Sequence, residues 1–289
     1  MRHPCAGTVW AVDFDRRGHG RSAFCASRAA YRGSERPHSP HLVRRALSDQ
    51  LKDWRHRRLP NWVWVNPHGD AYVEGARDLG AVTGEIIKTL ASRRIGALIH
   101  TRGGMPAGES LVLVARRFPA LLRVDLGFFS SRKEVCRAWE RGAASIDARL
   151  ELLGALTRAG VEVGVRLGPL IPSANDDASD WADLFASLAR LGVREVVPTW
   201  LEPSRRLLAQ IRREISPETA RRLESFTHSS DDMLAQGWRV ATLNMMRHMA
   251  SPLGIDVKRC RCGPDTAGSS PCLLGPAETQ KERQLALFG

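Results

Sequence analysis

Short apolar runs alternate with amphipathic stretches along most of the chain. Trp62-Val-Trp-Val65 is wholly apolar and stops at Asn66-Pro67-His68-Gly69-Asp70, the pattern of a buried strand closed by a turn. Upstream, Thr8 to Phe14 reads as a first strand, Asp15 to about Pro40 as a polar loop rich in Gly and Arg, and His41 to His56 as a basic helix. Downstream the alternation is regular. A helix is expected from Arg77 to Ser92, a strand from Gly96 to Thr101 stopped by Gly103-Gly104, and a helix from about Ser110 to Phe118. Leu121 to Phe128 is the next strand. Two helices follow, the second from Ser145 to Arg158 with Ile146, Leu150, Leu153 and Leu156 on one stripe. Val161 to Leu167 is a strand closed by Gly168-Pro169. Asp176 to Leu191 is a helix with Trp181, Leu184, Phe185, Leu188 and Leu191 on one face, and Val193 to Trp200 is a strand. Helices are expected between Pro203 and Met249, with a final strand from Ile255 to Arg259.

Strand and amphipathic helix in strict alternation imply parallel strands joined by helical crossovers, and short apolar strands are those covered on both faces. No Gly-x-Gly-x-x-Gly follows any strand, so a partial (β/α) barrel fits better than an open dinucleotide-binding sheet. The expected class is therefore α/β, a partial barrel with a helical C-terminal addition and a short flexible tail. The barrel-like domain would span 1–262, including the loop 15–40 and the helical segment 203–249, and the tail 263–289.

Composition narrows the function classes. The 289 residues are 43% hydrophobic and 26% charged, as in a globular domain rather than a disordered chain. No apolar run is long enough to span a bilayer, and Met1 to Cys5 carries no secretory apolar region, so no membrane partner and a cytoplasmic location are expected. The net charge of +12 fits either solvated arginine-rich helix faces or contact with nucleic-acid phosphates. With an aromatic fraction of 6%, a stacking platform for single strands is not evident.

In parallel α/β folds chemistry collects at the strand C-termini. Here those ends carry Arg16 to Cys25, Asn66 to Asp70, His100 to Gly104, Ser130 to Lys133, Gly168-Pro169, Thr199 to Glu202, and Cys260-Arg261-Cys262. Cys25, Cys260 and Cys262 all follow strands, and Cys272 is close enough to fold back. Four thiolates satisfy an iron–sulfur cluster, with zinc as the alternative; the competing reading is free thiols beside a flexible tail. Cys136 lies in a helical stretch and reads as packing. His68, Asp70 and His100 could also be ligands of a hydrolytic metal, or simply a turn and a hydrogen-bonded strand end.

Leu150 to Asp177, Leu-Glu-Leu-Leu-Gly-Ala-Leu-Thr-Arg-Ala-Gly-Val-Glu-Val-Gly-Val-Arg-Leu-Gly-Pro-Leu-Ile-Pro-Ser-Ala-Asn-Asp-Asp, resembles the helix–strand–loop segment of radical SAM proteins of the spore photoproduct lyase type. Arg149-Leu150, Arg166, Pro169, Pro172, Asn175 and Asp176 fit that pattern, and His100-Thr101-Arg102 stands where the group often has Thr-Lys-Ser. The resemblance covers about residues 60 to 200. It implies a [4Fe–4S] cluster held by a Cys-x-x-x-Cys-x-x-Cys loop after the first strand, whose open iron binds S-adenosylmethionine. His19-Gly20 and Phe24-Cys25 echo that loop, but only Cys25 is a cysteine, and Arg21 stands about where a ligand is due. The resemblance thus implies either a cluster rebuilt from Cys25 with Cys260, Cys262 and Cys272, or a degenerate member. Four cysteine ligands would leave no open iron, so an active enzyme would spare one of them. Arg102, Arg149 and Arg166 are the candidate cofactor-binding residues.

The C-terminal Gln284-Leu285-Ala286-Leu287-Phe288 resembles the peptide that docks on the bacterial replication sliding clamp, with Gln284, Leu285, Leu287 and Phe288 as its contacts. Two functions follow. One is a radical SAM-like iron–sulfur protein acting on DNA or a nucleotide, in DNA repair and recruited by the clamp. The other is a catalytically degenerate barrel with a structural metal or cluster, serving as a DNA-associated adaptor.

Overall fold

The computed structural model describes residues 10–12, 21–23, 40–53, 61–66, 69–72, 77–201, 203–228 and 232–258. In chain order the elements are β1 Trp10–Val12, β2 Arg21–Ser22, α1 Pro40–Asp53, β3 Trp62–Val65, α2 Arg77–Ala91, β4 Gly96–Thr101, α3 Glu109–Arg117, β5 Leu122–Phe128 and α4 Lys133–Trp139. Then come β6 Glu140–Arg141, α5 Ile146–Arg158, β7 Glu162–Leu170, α6 Ala178–Arg190, β8 Glu195–Trp200, α7 Arg205–Glu214, α8 Pro217–His228, α9 Asp232–Ala250 and β9 Asp256–Val257.

Seven strands form one wholly parallel sheet in the order β1-β3-β4-β5-β7-β8-β9. Each strand lies beside the next main-sheet strand in sequence. That unreversed order belongs to a (β/α) barrel, whereas a doubly wound sheet reverses at a switch point. Among the described residues β1 and β9 remain as edges, so the barrel is partial. β2 and β6 form a separate antiparallel pair that the hydrophobic pattern did not foretell, since each strand is only two residues long.

β5 shows how the sheet divides core from site. Leu122, Val124, Leu126 and Phe128 alternate into the main core with Val63, Val65, Ala97, Ile99, Val165, Leu167 and Val196. α2, α5 and α6 cover that face with Ile86, Ile87 and Leu90, with Leu152, Leu153 and Leu156, and with Trp181, Leu184, Phe185 and Leu188. The alternate residues Arg123, Asp125 and Gly127 face the other way.

A second, smaller core joins Phe129, just past β5, and Ile171, just past β7, to Trp139 and to Leu207, Leu208, Ile211, Ala220 and Leu223 of the α7–α8 hairpin. It also contains Ala23. Ala23 N donates to Trp139 O at 2.7 Å, and Gln210 Nε2 donates to Ala23 O at 2.8 Å. The chain segment after β1 is thereby fastened to the strand C-terminal edge. None of the helices among the described residues is long and apolar enough to cross a membrane.

Candidate functional site

Parallel register builds the polar face. Leu98 pairs with Arg123, His100 with Asp125, Asp125 with Gly164, Gly127 with Arg166, and Arg166 with Val197. Neighbours in register share a face, so the charges meet side by side. His100 Nε2 lies 2.8 Å from Asp125 Oδ2, Arg123 Nε donates to Asp125 Oδ1 at 3.3 Å, and Arg166 Nε stands 3.4 Å from Asp125 Oδ2. Arg123 also pairs with Glu162. Trp64 packs edge-on against His100 with ring centroids 4.3 Å apart, and the Arg166 guanidinium lies 5.7 Å from the Trp64 ring.

Close packing demands glycine beside these side chains. A Cβ on Gly164 would fall 2.2 Å from Asp125 Oδ1, which no side chain tolerates. A Cβ on Gly127 would come within 3.1 Å of Arg102 Cγ, so Arg102 lies across that bare strand position.

Beyond the strand ends, Glu140 is the second anionic centre. Its carboxylate, with 1% of the side chain exposed, accepts from Arg102 Nη1, from Arg149 Nη1 at 3.2 Å and from Arg149 Nη2 at 2.8 Å. Because Glu140 opens β6, it ties this network to the Arg21–Ser22 strand, where Ser22 is its register partner. Burial alone would raise the pKa of Glu140, but Arg149 and Arg102 hold it below the usual carboxylate range. The same contest sets Asp125. Burial opposes ionisation, and the His100 hydrogen bond with the charges of His100, Arg166 and Arg123 overcomes it.

A third anchor is Asp70. Oδ1 accepts from Thr101 Oγ1 at 2.7 Å and from Tyr72 N at 3.0 Å, and Oδ2 accepts from Arg102 N at 2.6 Å. The enclosed Tyr72 hydroxyl has its pKa raised, first by its own burial and then by the Asp70 charge. Asp70 therefore builds the end of β4, while His100 pairs with Asp125, and the two are engaged in different clusters. His68 lies outside the described residues. Among the described residues no three His, Cys, Asp or Glu side chains converge on a metal position.

The sequence-predicted arginines divide sharply. Arg149 has 1% of its side chain exposed and spends its nitrogens on Glu140, Gly127 O at 2.8 Å and Ala144 O at 2.9 Å. It offers no surface to a ligand and acts as the buried support of Glu140. Arg102 is 12% exposed and bonds Glu140 and Gly168 O. Arg166 is 21% exposed, and its Nε makes no hydrogen bond. Arg102 and Arg166 share the polar face across Gly127, so the structure brings these two together. Cys25, Cys260, Cys262 and Cys272 lie outside the described residues, as do Gln284, Leu285, Leu287 and Phe288.

The motif residues of the resemblance are placed as scaffold. Asn175 Oδ1 accepts from Ile171 N at 2.8 Å, and its Nδ2 donates to Phe129 O at 2.6 Å and Pro169 O at 3.0 Å. Asp176 accepts from Ser173 N and from Trp238 Nε1 at 2.9 and 2.8 Å. They staple the loop after β7. Nearby, Asp180 receives Ser130 Oγ at 2.6 Å and both Nε and Nη2 of Arg132. Sequence reasoning missed Asp125, Glu140 and Asp180. Asp125 had a readable signal, because Arg123-x-Asp125 alternates inside an otherwise apolar strand. Glu140 had none, as it lies among ordinary surface charges in the sequence.

Fold and site together define a partial parallel (β/α) barrel whose strand C-termini carry a charged, partly enclosed polar face. The fold resembles that of radical SAM enzymes. A cysteine-to-serine mutant of spore photoproduct lyase superposes with a TM-score of 0.63 at 15% identity, covering 89% of this chain and 78% of that one. Spore photoproduct lyase complexed with dinucleoside spore photoproduct gives 0.61 at 15% identity, covering 87% and 74%. Streptococcus suis SuiB bound to S-adenosylmethionine gives 0.51 at 11% identity, covering 78% and 49%. No protein-family model matches the sequence, and no curated protein matches it.

Proposed function

We propose that the protein is a radical SAM-like enzyme acting on DNA or a nucleotide. The observation that carries the reading is the polar face at the strand C-termini, where Arg102 and Arg166 lie together in the fold it shares with spore photoproduct lyase. Four arginines, 102, 123, 149 and 166, share this region with the four carboxylates Asp70, Asp125, Glu140 and Glu162. Arg166 is the fitting partner for an anionic ligand group, since its side chain is partly exposed at this face. A guanidinium suits the carboxylate of S-adenosylmethionine or a nucleotide phosphate. S-adenosylmethionine would supply the radical precursor; this chain's own residues would bind and orient it.

The described residues do not fit an iron–sulfur cluster. Their one cysteine, Cys136, donates to Ser130 O at 3.3 Å, and its thiol is pushed up to about 12 by burial and by Glu140. That is an inert, packed thiol. Ligands of any cluster would lie outside the described residues, with Cys25 and the C-terminal cysteines as the expected set. A single cysteine after the first strand favours the second reading, a degenerate barrel that serves as a DNA-associated adaptor.

Anaerobic purification with iron, sulfide and zinc analysis, followed by reduction in the presence of S-adenosylmethionine, separates the two. A reducible cluster that cleaves S-adenosylmethionine is expected for the enzyme. Zinc, or a cluster inert toward it, moves the protein to the adaptor reading. For the tail, replacing Leu287 and Phe288 should abolish binding to a bacterial sliding clamp; no binding by the intact protein ends that proposal.

A further inference from the structure

We infer that the outer face of the α7–α8 hairpin is the surface on which DNA phosphates dock, an inference that rests on the DNA-acting reading and adds a place to it. Residues 205–228 hold six arginines against three glutamates. Arg212 pairs with Glu224 at 3.3 Å, Arg213 with Glu214 at 3.0 Å and Arg222 with Glu218 at 2.6 Å. Arg205, Arg206 and Arg221 are exposed and have no carboxylate partner among the described residues.

Helix stability does not account for them. α3, α4, α5 and α6 each carry an acid in the first turn and arginine in the last, as the helix dipole favours. α7 has no acid in its first turn and opens on Arg205-Arg206. Cations there oppose the dipole. Six arginines on one short hairpin also give the planar donor forks that match phosphate oxygens.

Position supplies the second argument. α7 begins five residues after Trp200 closes β8. Leu207, Leu208 and Ile211 lock the hairpin onto Phe129 and Ile171 at the ends of β5 and β7. The arginines therefore rim the edge of the sheet at which Arg102 and Arg166 lie. Half-buried aromatic rings stand at the same edge. Trp238 packs against Trp200 at 5.2 Å and Phe226 of α8 at 5.9 Å. Phosphate contacts beside half-buried aromatic rings suit a nucleic acid better than an anionic lipid surface.

The test uses the full chain and a short fluorescein-labelled DNA duplex, with anisotropy read across a salt series. Three proteins are compared: wild type, R205Q/R206Q/R221Q, and the control R93Q/R116Q/R158Q, whose exposed arginines lie at the opposite, strand N-terminal edge. Circular dichroism melting confirms that each is folded, and the single variant R221Q covers the case in which the hairpin triple is not. The hairpin triple should bind at least about tenfold more weakly at low salt, with a log–log salt slope shallower by about 2–3, near 0.9 for each phosphate no longer neutralised. The control should match wild type. Equal losses in both triples, or none in the hairpin triple, overturn the placement while leaving DNA binding intact. A wild type that binds phosphatidylglycerol vesicles but no DNA overturns the placement and the DNA reading together.

Discussion

Arginine does two different jobs at the same edge of the sheet. On the polar face, Arg149 and Arg123 are buried and matched to Glu140, Asp125 and Glu162. On the α7–α8 hairpin, Arg205, Arg206 and Arg221 are exposed and have no carboxylate partner among the described residues. A buried guanidinium without its carboxylate costs several kcal/mol, whereas an exposed one loses little by staying in water. The first set is therefore fixed by the fold itself. The second is free to be decided by what the protein meets, and Arg166, only partly exposed and incompletely satisfied, stands between them.

The largest expected effect lies on the buried side. Glu140→Gln leaves Arg102 and Arg149 facing a neutral amide, so stability should fall by about 3–5 kcal/mol. A urea titration with an unchanged slope and a lower midpoint reads this directly. If the midpoint hardly moves, Glu140 is not the hub of the network. Gly164→Ala follows in size. Its methyl would displace the Asp125 carboxylate from His100 and Arg166, at about 1–3 kcal/mol, and the His100 ring resonances should shift with it.

Acid provides a graded form of the same test. Glu140 and Asp125 have pKa values lowered from 4.5 and 3.8 by folding. Their stabilising contribution is complete above the unfolded values and is lost as pH falls through them toward the lowered folded values. Stability should hold level above about pH 5 and decline below it, more shallowly in Glu140→Gln. An equal acid slope in both proteins would remove Glu140 from this account.

Arg166→Met should reverse the order of effects. Asp125 would keep Arg123 and His100, so the change should cost less stability than Glu140→Gln but weaken S-adenosylmethionine binding by about ten- to a hundredfold, the worth of one charged hydrogen-bonded contact, as measured by calorimetry. Unaltered affinity would take Arg166 out of the site. The smallest effect belongs to the hairpin. Arg206→Glu places an acid where the α7 dipole favours one and should raise stability by about 0.3–1 kcal/mol, the opposite sign from every buried substitution above. A loss instead would mean that Arg206 is held by the fold after all.

Much of the fold was legible in the chain. Trp62–Val65 and Gly96–Thr101 were readable to the residue, and β5, α5 and α6 to within two, because a strand buried on both sides and a helix with one apolar stripe leave unmistakable patterns. β7 runs on past the expected stop at Gly168-Pro169 to Leu170, with a break in its register to β8 between Leu167 and Leu170. The β2–β6 pair was invisible, since two residues carry no period. Arg102 and Arg166 were expected as cofactor-binding residues from the motifs they lie in or beside, but nothing local said that Arg149 would be spent on Glu140.

By itself, then, the sequence determined the succession of strands and helices and the partial barrel they imply, because hydrophobic periodicity is a local property of neighbouring residues. Only the tertiary structure decided which charges meet. Asp125 reaches His100 through register between β4 and β5 and Arg166 through register between β5 and β7, and Glu140 joins side chains from β4's end and α5. Pairings between residues far apart in the chain depend on how strands align, and alignment is settled by packing of the whole sheet rather than by any one segment.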